Sequence, residues 1–209
     1  MHIRFLGCGD AFGSGGRLNT CFQVVGSRAN FLIDIGASSL IGLKAQGVKP
    51  SAIQSIFVTH FHADHFGGIP FFMLDAQFFA KRSEPLTIVG PVGLRIWYER
   101  VMESSFPGAS TTVPKFNLEF IELQPRQQAL VGDVSVIPFQ VLHGRPGGPF
   151  FAYRFEAEGK CVAYTGDTEW TDELIDAGRN ADLLIAAGYF VDKKVKWHLD
   201  IETLKINLD

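Results

Sequence analysis

The sequence predicts an α/β fold, two sheets with helices on their outer faces. Short runs of strand length, apolar or alternating, are interleaved with stretches of helical apolar spacing and punctuated by glycine and proline. A strand that ends on chemistry-bearing side chains occurs in both halves: residues 56–59 run into His60, and 134–142 run into His143. That repetition suits a two-sheet sandwich with its site at one edge. A chain of 209 residues is long enough for one well-cored domain, so residues 1–209 are expected to form a single one.

Residues 3–6 read as a strand, followed by a glycine-rich loop over 7–16 whose spacing matches no phosphate-binding motif, which leaves a tight strand connection near the site. Residues 21–25 and 31–35 form a hairpin, and 38–46 a helix stopped by Gly47. Over 70–80 apolar residues recur at 71, 74 and 78 and again at 72, 76 and 79, so a helix there is greasy on two faces. A second copy of the chain covering one of those faces predicts a homodimer. A strand at 86–89, a helix at 94–103 and strands at 116–123 and 134–139 around a turn-rich 125–133 come next. Residues 151–155 and 160–164 form a hairpin, 171–177 a helix closed by Gly178, and 182–186 a strand; Asp200 then caps a short terminal helix.

Composition narrows the function. Hydrophobic residues make up 46% and charged residues 20%, which is globular, and the net charge of −3 advertises no general nucleic-acid surface. Three cysteines, Cys8, Cys21 and Cys161, form no CxxC pair and are odd in number, so a reducing cytoplasm is the expected compartment. No stretch approaches the roughly 20 apolar residues of a membrane span, and the first residues are too short a run for a signal peptide.

The densest chemistry lies at 56–69, IFVTHFHADHFGGI. His60, His62, Asp64 and His65 fall within six residues. Burying them unpaired would be costly, and a solvated loop has no evident need of so many imidazoles. A metal explains the composition. His60 and His62 are two apart, so in extended chain both rings face one side and reach a single cation. Asp64 and His65 follow on the turn into a helix and aim elsewhere, which predicts a second ion close by. His143 repeats the placement of His60, and Asp167, after a strand in the fragment TGD, can bridge two cations with its two oxygens. Site one is expected to be His60, His62, His143 and Asp167, and site two Asp64, His65 and the other oxygen of Asp167. Two divalent ions fit this donor set, zinc foremost, with manganese or iron also suited. A water shared by two dications loses its proton near neutrality, giving a hydroxide that hydrolyses without Ser or Cys.

THFHADHFGG resembles the signature of the metallo-β-lactamase fold superfamily, and the residues around it resemble the ribonuclease Z and phosphodiesterase-like branch, over nearly the whole chain. The resemblance implies an αββα four-layer sandwich of two mixed β-sheets flanked by helices. It implies a metal-dependent hydrolase, with Asp34 in LIDIG supporting the metal loop rather than ligating. Asp64 and His198 are assigned catalytic parts, His198 as proton donor to the leaving group.

Three features depart from that pattern. Related sequences carry a further metal-binding His on a final strand, whereas this sequence runs to Asp209, so the C-terminal part of the family fold is expected to be missing. Ala187 stands where relatives have a Glu that orients the catalytic His. The stretch from His143 to Asp167 leaves room for one hairpin and not for a tRNA-gripping arm. A small phosphodiester or cyclic nucleotide is therefore the favoured substrate and RNA the less favoured one. Hydrolysis of a lactone, thioester or β-lactam uses the same activated water. A degenerate member that binds metal without turnover is the third reading.

Overall fold

The computed structural model describes residues 1–145 and 148–208, which divide into two compact units, Met1–Glu122 and Leu123–Asp209. The first contains β1 (His2–Gly7), β2 (Cys21–Val25), β3 (Asn30–Ile33), α1 (Ser39–Ala45), β4 (Ser55–Phe57), α2 (Ala63–Phe66), α3 (Ile69–Leu74), β5 (Leu86–Pro91) and α4 (Leu94–Ser105). The last strand of its sheet, β6 (Leu118–Leu123), carries the chain out of it. The sheet runs in the order β1-β2-β3-β4-β5-β6. Its first three strands are antiparallel, while β3, β4 and β5 are parallel, because helical crossovers rather than tight turns join them. Parallel strands bury both faces and need continuous apolar runs. In register, Leu32 lies against Ile56 and Ile56 against Ile88, all fully buried, and α1, α3 and α4 lay Leu43, Phe72 and Leu94 into the same core. Each such side chain contributes about 1.5–3 kcal/mol by leaving water.

The helix expected over 70–80 is interrupted. After α3 the chain makes one π-helical turn, Asp75–Phe79, closed by the Ala80 N–H donating to the Asp75 carbonyl at 2.7 Å. The buried Asp75 carboxylate pairs there with Lys44 of α1, a tertiary contact that a 3.6-residue period does not register. Phe72, Met73 and Ala76 are buried and Phe71 and Phe78 exposed, so the face of 71 and 78 is open to solvent in the single chain, and Phe79 at the end of the other face is exposed as well.

The second unit contains β7 (Ala129–Val131), β8 (Val134–Gln140), β9 (Phe151–Ala157), β10 (Lys160–Tyr164), α5 (Glu173–Gly178), β11 (Leu183–Ile185), β12 (Gly188–Phe190), β13 (Leu199–Asp200) and α6 (Ile201–Leu208). Five strands form a sheet in the order β11-β10-β9-β8-β7, with β10 and β11 parallel and the rest antiparallel; β12 and β13 pair by themselves. Strand β7 occupies part of the segment expected to be turn. It is three residues long, too short for alternation to register, and it folds back across Gly132 and Asp133 so that Val131 faces Val134. Strands β12 and β13 escape the same reading for the same reason. Helices α5 and α6 cover the core through Leu174, Ala177 and Leu204 against Phe139, Val141 and Ala152. The cap expected at Asp200 is present: its Oδ1 accepts the Thr203 N–H at 2.9 Å and its Oδ2 the Thr203 hydroxyl at 2.7 Å. Among the described residues no helix is long and apolar enough to cross a membrane.

Candidate metal centre

In the first unit the candidate ligands leave the sheet where parallel strands end, the edge at which open α/β sheets place their ligands. Ile33 and Phe57 are in register, so the residues after β3 and β4 emerge side by side: Asp34 from one, Thr59 and His60 from the other. His62 is still extended, with φ −69° and ψ 149°, and its carbonyl accepts the N–H groups of His65 at 3.0 Å and Phe66 at 2.8 Å as α2 begins. The expected change from extended chain to helix within the motif is therefore present. It gathers three imidazoles, with the His60 ring centroid 4.5 Å from that of His62 and 4.3 Å from that of His65.

The loop is held by backbone. Ile35 donates its N–H to the His65 carbonyl at 2.8 Å, and Gly68 donates to the Ile35 carbonyl at 2.8 Å. Contact this close admits no side chain at Gly36, where a Cβ would lie 2.1 Å from the Asp64 carbonyl oxygen.

Asp34 organises the donors. It is fully buried, with a φ of 57° that Asp tolerates better than most residues. Its Oδ1 accepts the Thr59 N–H at 2.7 Å, and its Oδ2 lies 2.9 Å from the Thr59 hydroxyl and 2.7 Å from His65 Nδ1. Burial pushes this carboxyl above the ordinary range, and the His65 ring and the Thr59 donors pull it back. An ionised carboxylate accepts all three contacts at once. With the carboxylate ionised, the single hydroxyl proton of Thr59 is drawn to Asp34 and its oxygen is left to accept from His60 Nδ1, 3.0 Å away. In that protonation state His60 and His65 carry a proton on Nδ1, the arrangement that suits Nε2 to a cation. Thr59 was not singled out in the sequence, although its place immediately before His60 was visible there.

In the second unit β8 and β10 run in the same direction with β9 between them, so His143 and Asp167 emerge at the same sheet edge. His143 Nδ1 lies 2.9 Å from the Trp197 carbonyl, which can only accept, so Nδ1 carries a proton. The Nε2 of the same ring is 3.7 Å from Asp167 Oδ2, and His198 Nδ1 is 3.9 Å from the same oxygen. Each of the three residues offers one ligand atom, and these atoms all lie within 4.8 Å of one another. Ligands on one tetrahedral zinc sit about 3.3 Å apart, a spacing near that of His143 Nε2 and Asp167 Oδ2. The donor sets of both units fit a divalent metal.

The structure brings His198 into this group, with the Tyr189 ring centroid 4.8 Å from its own. Ala187 offers only its backbone N–H, donated to the Thr165 hydroxyl at 3.0 Å. A cavity of about 280 Å³, lined by Glu169, Trp170, Lys194, Lys196, His198 and Thr203 among others, opens beside the group.

Known proteins share this architecture. Human tRNase Z, short form (ELAC1), superposes with a TM-score of 0.79 at 24% identity, over 99% of this chain and 87% of that one. The metallo-β-lactamase fold protein YhfI from Bacillus subtilis gives 0.74 at 21% identity, over 95% and 77%. Ribonuclease Z from Pyrococcus horikoshii is 26% identical over 220 residues, 82% of this chain and 70% of its own. The fold is thus the metallo-β-lactamase fold, and the likeness to the ribonuclease Z branch expected from THFHADHFGG is borne out. A family model described as anti-Pycsar protein Apyc1 matches residues 1–206, nearly the whole sequence, and to that family this chain belongs.

Proposed function

We propose that this chain is a metal-dependent phosphodiesterase acting on a small, cyclic phosphodiester. The ligands in this reading are His60, His62, Asp64 and His65 in the first unit and His143 and Asp167 in the second. The observation that carries the reading is the anchoring of His60, His65 and His143, each ring fixed by an oxygen 2.7–3.0 Å from its Nδ1. Ribonuclease Z among the relatives supports phosphorus as the reacting centre.

Divalent ions supply Lewis-acid chemistry, lowering the pKa of water and offsetting charge that develops on phosphate oxygens. The protein's own groups do the rest. Asp34 and Thr59 hold two imidazole rings in place through their Nδ1 atoms. Asp64, whose Oδ2 lies 3.5 Å from His65 Nε2, orients the attacking water in this reading. His198, whose Nδ1 lies 3.9 Å from Asp167 Oδ2, delivers a proton to the departing oxygen in this reading. The cavity beside His198 suits a small molecule better than a folded RNA. Zinc is the ion in this reading, manganese and iron being served by the same donors. The compartment is the cytoplasm, and a second copy covers Phe71, Phe78 and Phe79.

Protein purified without chelator should carry about two ions per chain by mass spectrometry. It should hydrolyse bis(p-nitrophenyl) phosphate and 3′,5′-cyclic nucleotides, lose both activities to chelator, and leave precursor tRNA, lactones and thioesters intact. Metal-loaded protein inert on every phosphodiester, or active only on lactones or thioesters, would reject the proposal.

A further inference from the structure

Ala187 offers the second unit no side-chain carboxylate, its backbone N–H being given to the Thr165 hydroxyl, so another group must aim the imidazoles there. The structure assigns that task to Glu169, a positioning residue that acts through the backbone of Trp197. The inference rests on the metal-dependent reading above.

Trp197 has φ 69°, in the left-handed region where only glycine sits without cost. Something must hold it there. Its N–H donates to Glu169 Oε1 at 2.6 Å, and its carbonyl accepts from His143 Nδ1 at 2.9 Å. The two bonds lie on either side of one residue, so the φ and ψ of Trp197 set the direction from which His143 is held. His198 follows directly along the chain, and its ring centroid lies 4.9 Å from that of His143.

Glu169 is itself tied to the residue before His143. Its N–H donates to the Leu142 carbonyl at 3.0 Å. The neighbouring Thr168 hydroxyl accepts the Leu142 N–H at 3.1 Å and donates to the Glu169 carbonyl at 2.6 Å. A closed circuit results, from Leu142 to Glu169 to Trp197 to His143 and back along the chain. It joins the three segments that carry His143, Asp167 and His198, and the Glu169 side chain is the one link in it that a substitution can remove without touching a ligand. Partners of this kind around metal-binding histidines are worth 10–100-fold in metal affinity.

The test is zinc affinity, measured by competition with a chromophoric chelator, with the visible spectrum of the cobalt-loaded protein as a report on ligand geometry. Full-length wild type, Glu169→Ala, Glu169→Gln and the double variant Glu169→Ala with Trp197→Gly are compared after thermal melts show which are folded. Glu169→Ala should weaken the tightest zinc site by about 10–100-fold and shift the cobalt bands. Glu169→Gln, which still offers an oxygen to the Trp197 N–H, should stay within about threefold of wild type. The double variant should recover most of the loss, because glycine adopts the left-handed conformation without being held. Should Glu169→Ala not fold, the glutamine variant decides: a loss there as large as 10-fold overturns the proposal and a small one supports it. The proposal also fails if Glu169→Ala binds zinc like wild type with an unchanged cobalt spectrum. It fails equally if glycine restores nothing, which would make the charge of Glu169 the agent and not the backbone it holds. Absence of zinc binding by the wild type would overturn the ligand assignment and this inference together, an outcome distinct from unchanged variants.

Discussion

Exchanging one atom at Asp34 should undo the metal loop of the first unit without altering its shape. Asp34→Asn keeps the size of the side chain, and Asn tolerates the φ of 57° as well as Asp does, so the backbone has no reason to move. If the amide oxygen keeps the Thr59 N–H, the amide nitrogen faces both the Thr59 hydroxyl and His65 Nδ1, where the carboxylate accepted from each. Two charge-assisted bonds are lost, each worth about 1.5–3 kcal/mol, so unfolding in urea should show a loss of about 3 kcal/mol after partial relaxation. The larger effect is on proton placement. His65 must accept at Nδ1 and move its proton to Nε2, and Thr59, turned into an acceptor for the amide, sends its own proton to His60 Nδ1. Both imidazoles then present N–H where a lone pair was needed. One such partner is worth 10–100-fold in metal affinity, so losing it at two rings should cost about 100-fold or more. Long-range ¹H–¹⁵N spectra of the metal-free protein report the tautomers, and chelator competition reports the affinity. A variant that binds zinc within about threefold of wild type, with Nε2 of His60 and His65 still unprotonated, would refute this account.

Other expectations follow from single features. Arg82 is buried and gives its guanidinium to the carbonyls of Glu84, Pro50, Ser51, Ile53 and Pro85, tying the approach to β4 to that of β5; Arg82→Met should cost about 3 kcal/mol in urea unfolding, and Arg82→Lys less. A Cβ at Gly36 would meet the Asp64 carbonyl at 2.1 Å and the Asn19 Cβ at 2.4 Å, so Gly36→Ala should lower both the melting temperature and the bound metal, and a variant with wild-type values of each would contradict the packing. The Lys194 ammonium and the Thr203 hydroxyl hold the Asp200 carboxyl down at about 2 from its ordinary 3.8. A lowered carboxylate stabilises the fold above its unfolded pKa and stops doing so as pH falls through the folded one, so α6 amides should stay protected from exchange above about pH 4 and lose that protection toward pH 2. Burial pushes the Cys21 thiol up to about 12 and also raises that of Cys161, while Cys8 is exposed. One thiol should therefore react with Ellman's reagent in the native protein and three after denaturation.

Much of the candidate centre could be read before any fold was known. His60, His62, Asp64 and His65 crowd one loop after an apolar strand, and His143 and Asp167 each follow another, so local periodicity and residue chemistry pointed to them directly. The Asp200 cap was legible for the same reason, because a cap bonds three residues along its own chain. What escaped depends on segments far apart in sequence. The Nδ1 partner of His65 is Asp34, 31 residues away, and that of His143 is a carbonyl 54 residues on, held by a residue in the left-handed region. The π-helical turn at Asp75 answers to a lysine on another helix, and β7, β12 and β13 are too short to show a period. Sequence alone determined which atoms are available to hold a cation, since that is a matter of residue type and spacing. Only tertiary structure decided which nitrogen of each ring is offered, because a hydrogen bond acts between atoms near in space and leaves no periodic trace along the chain.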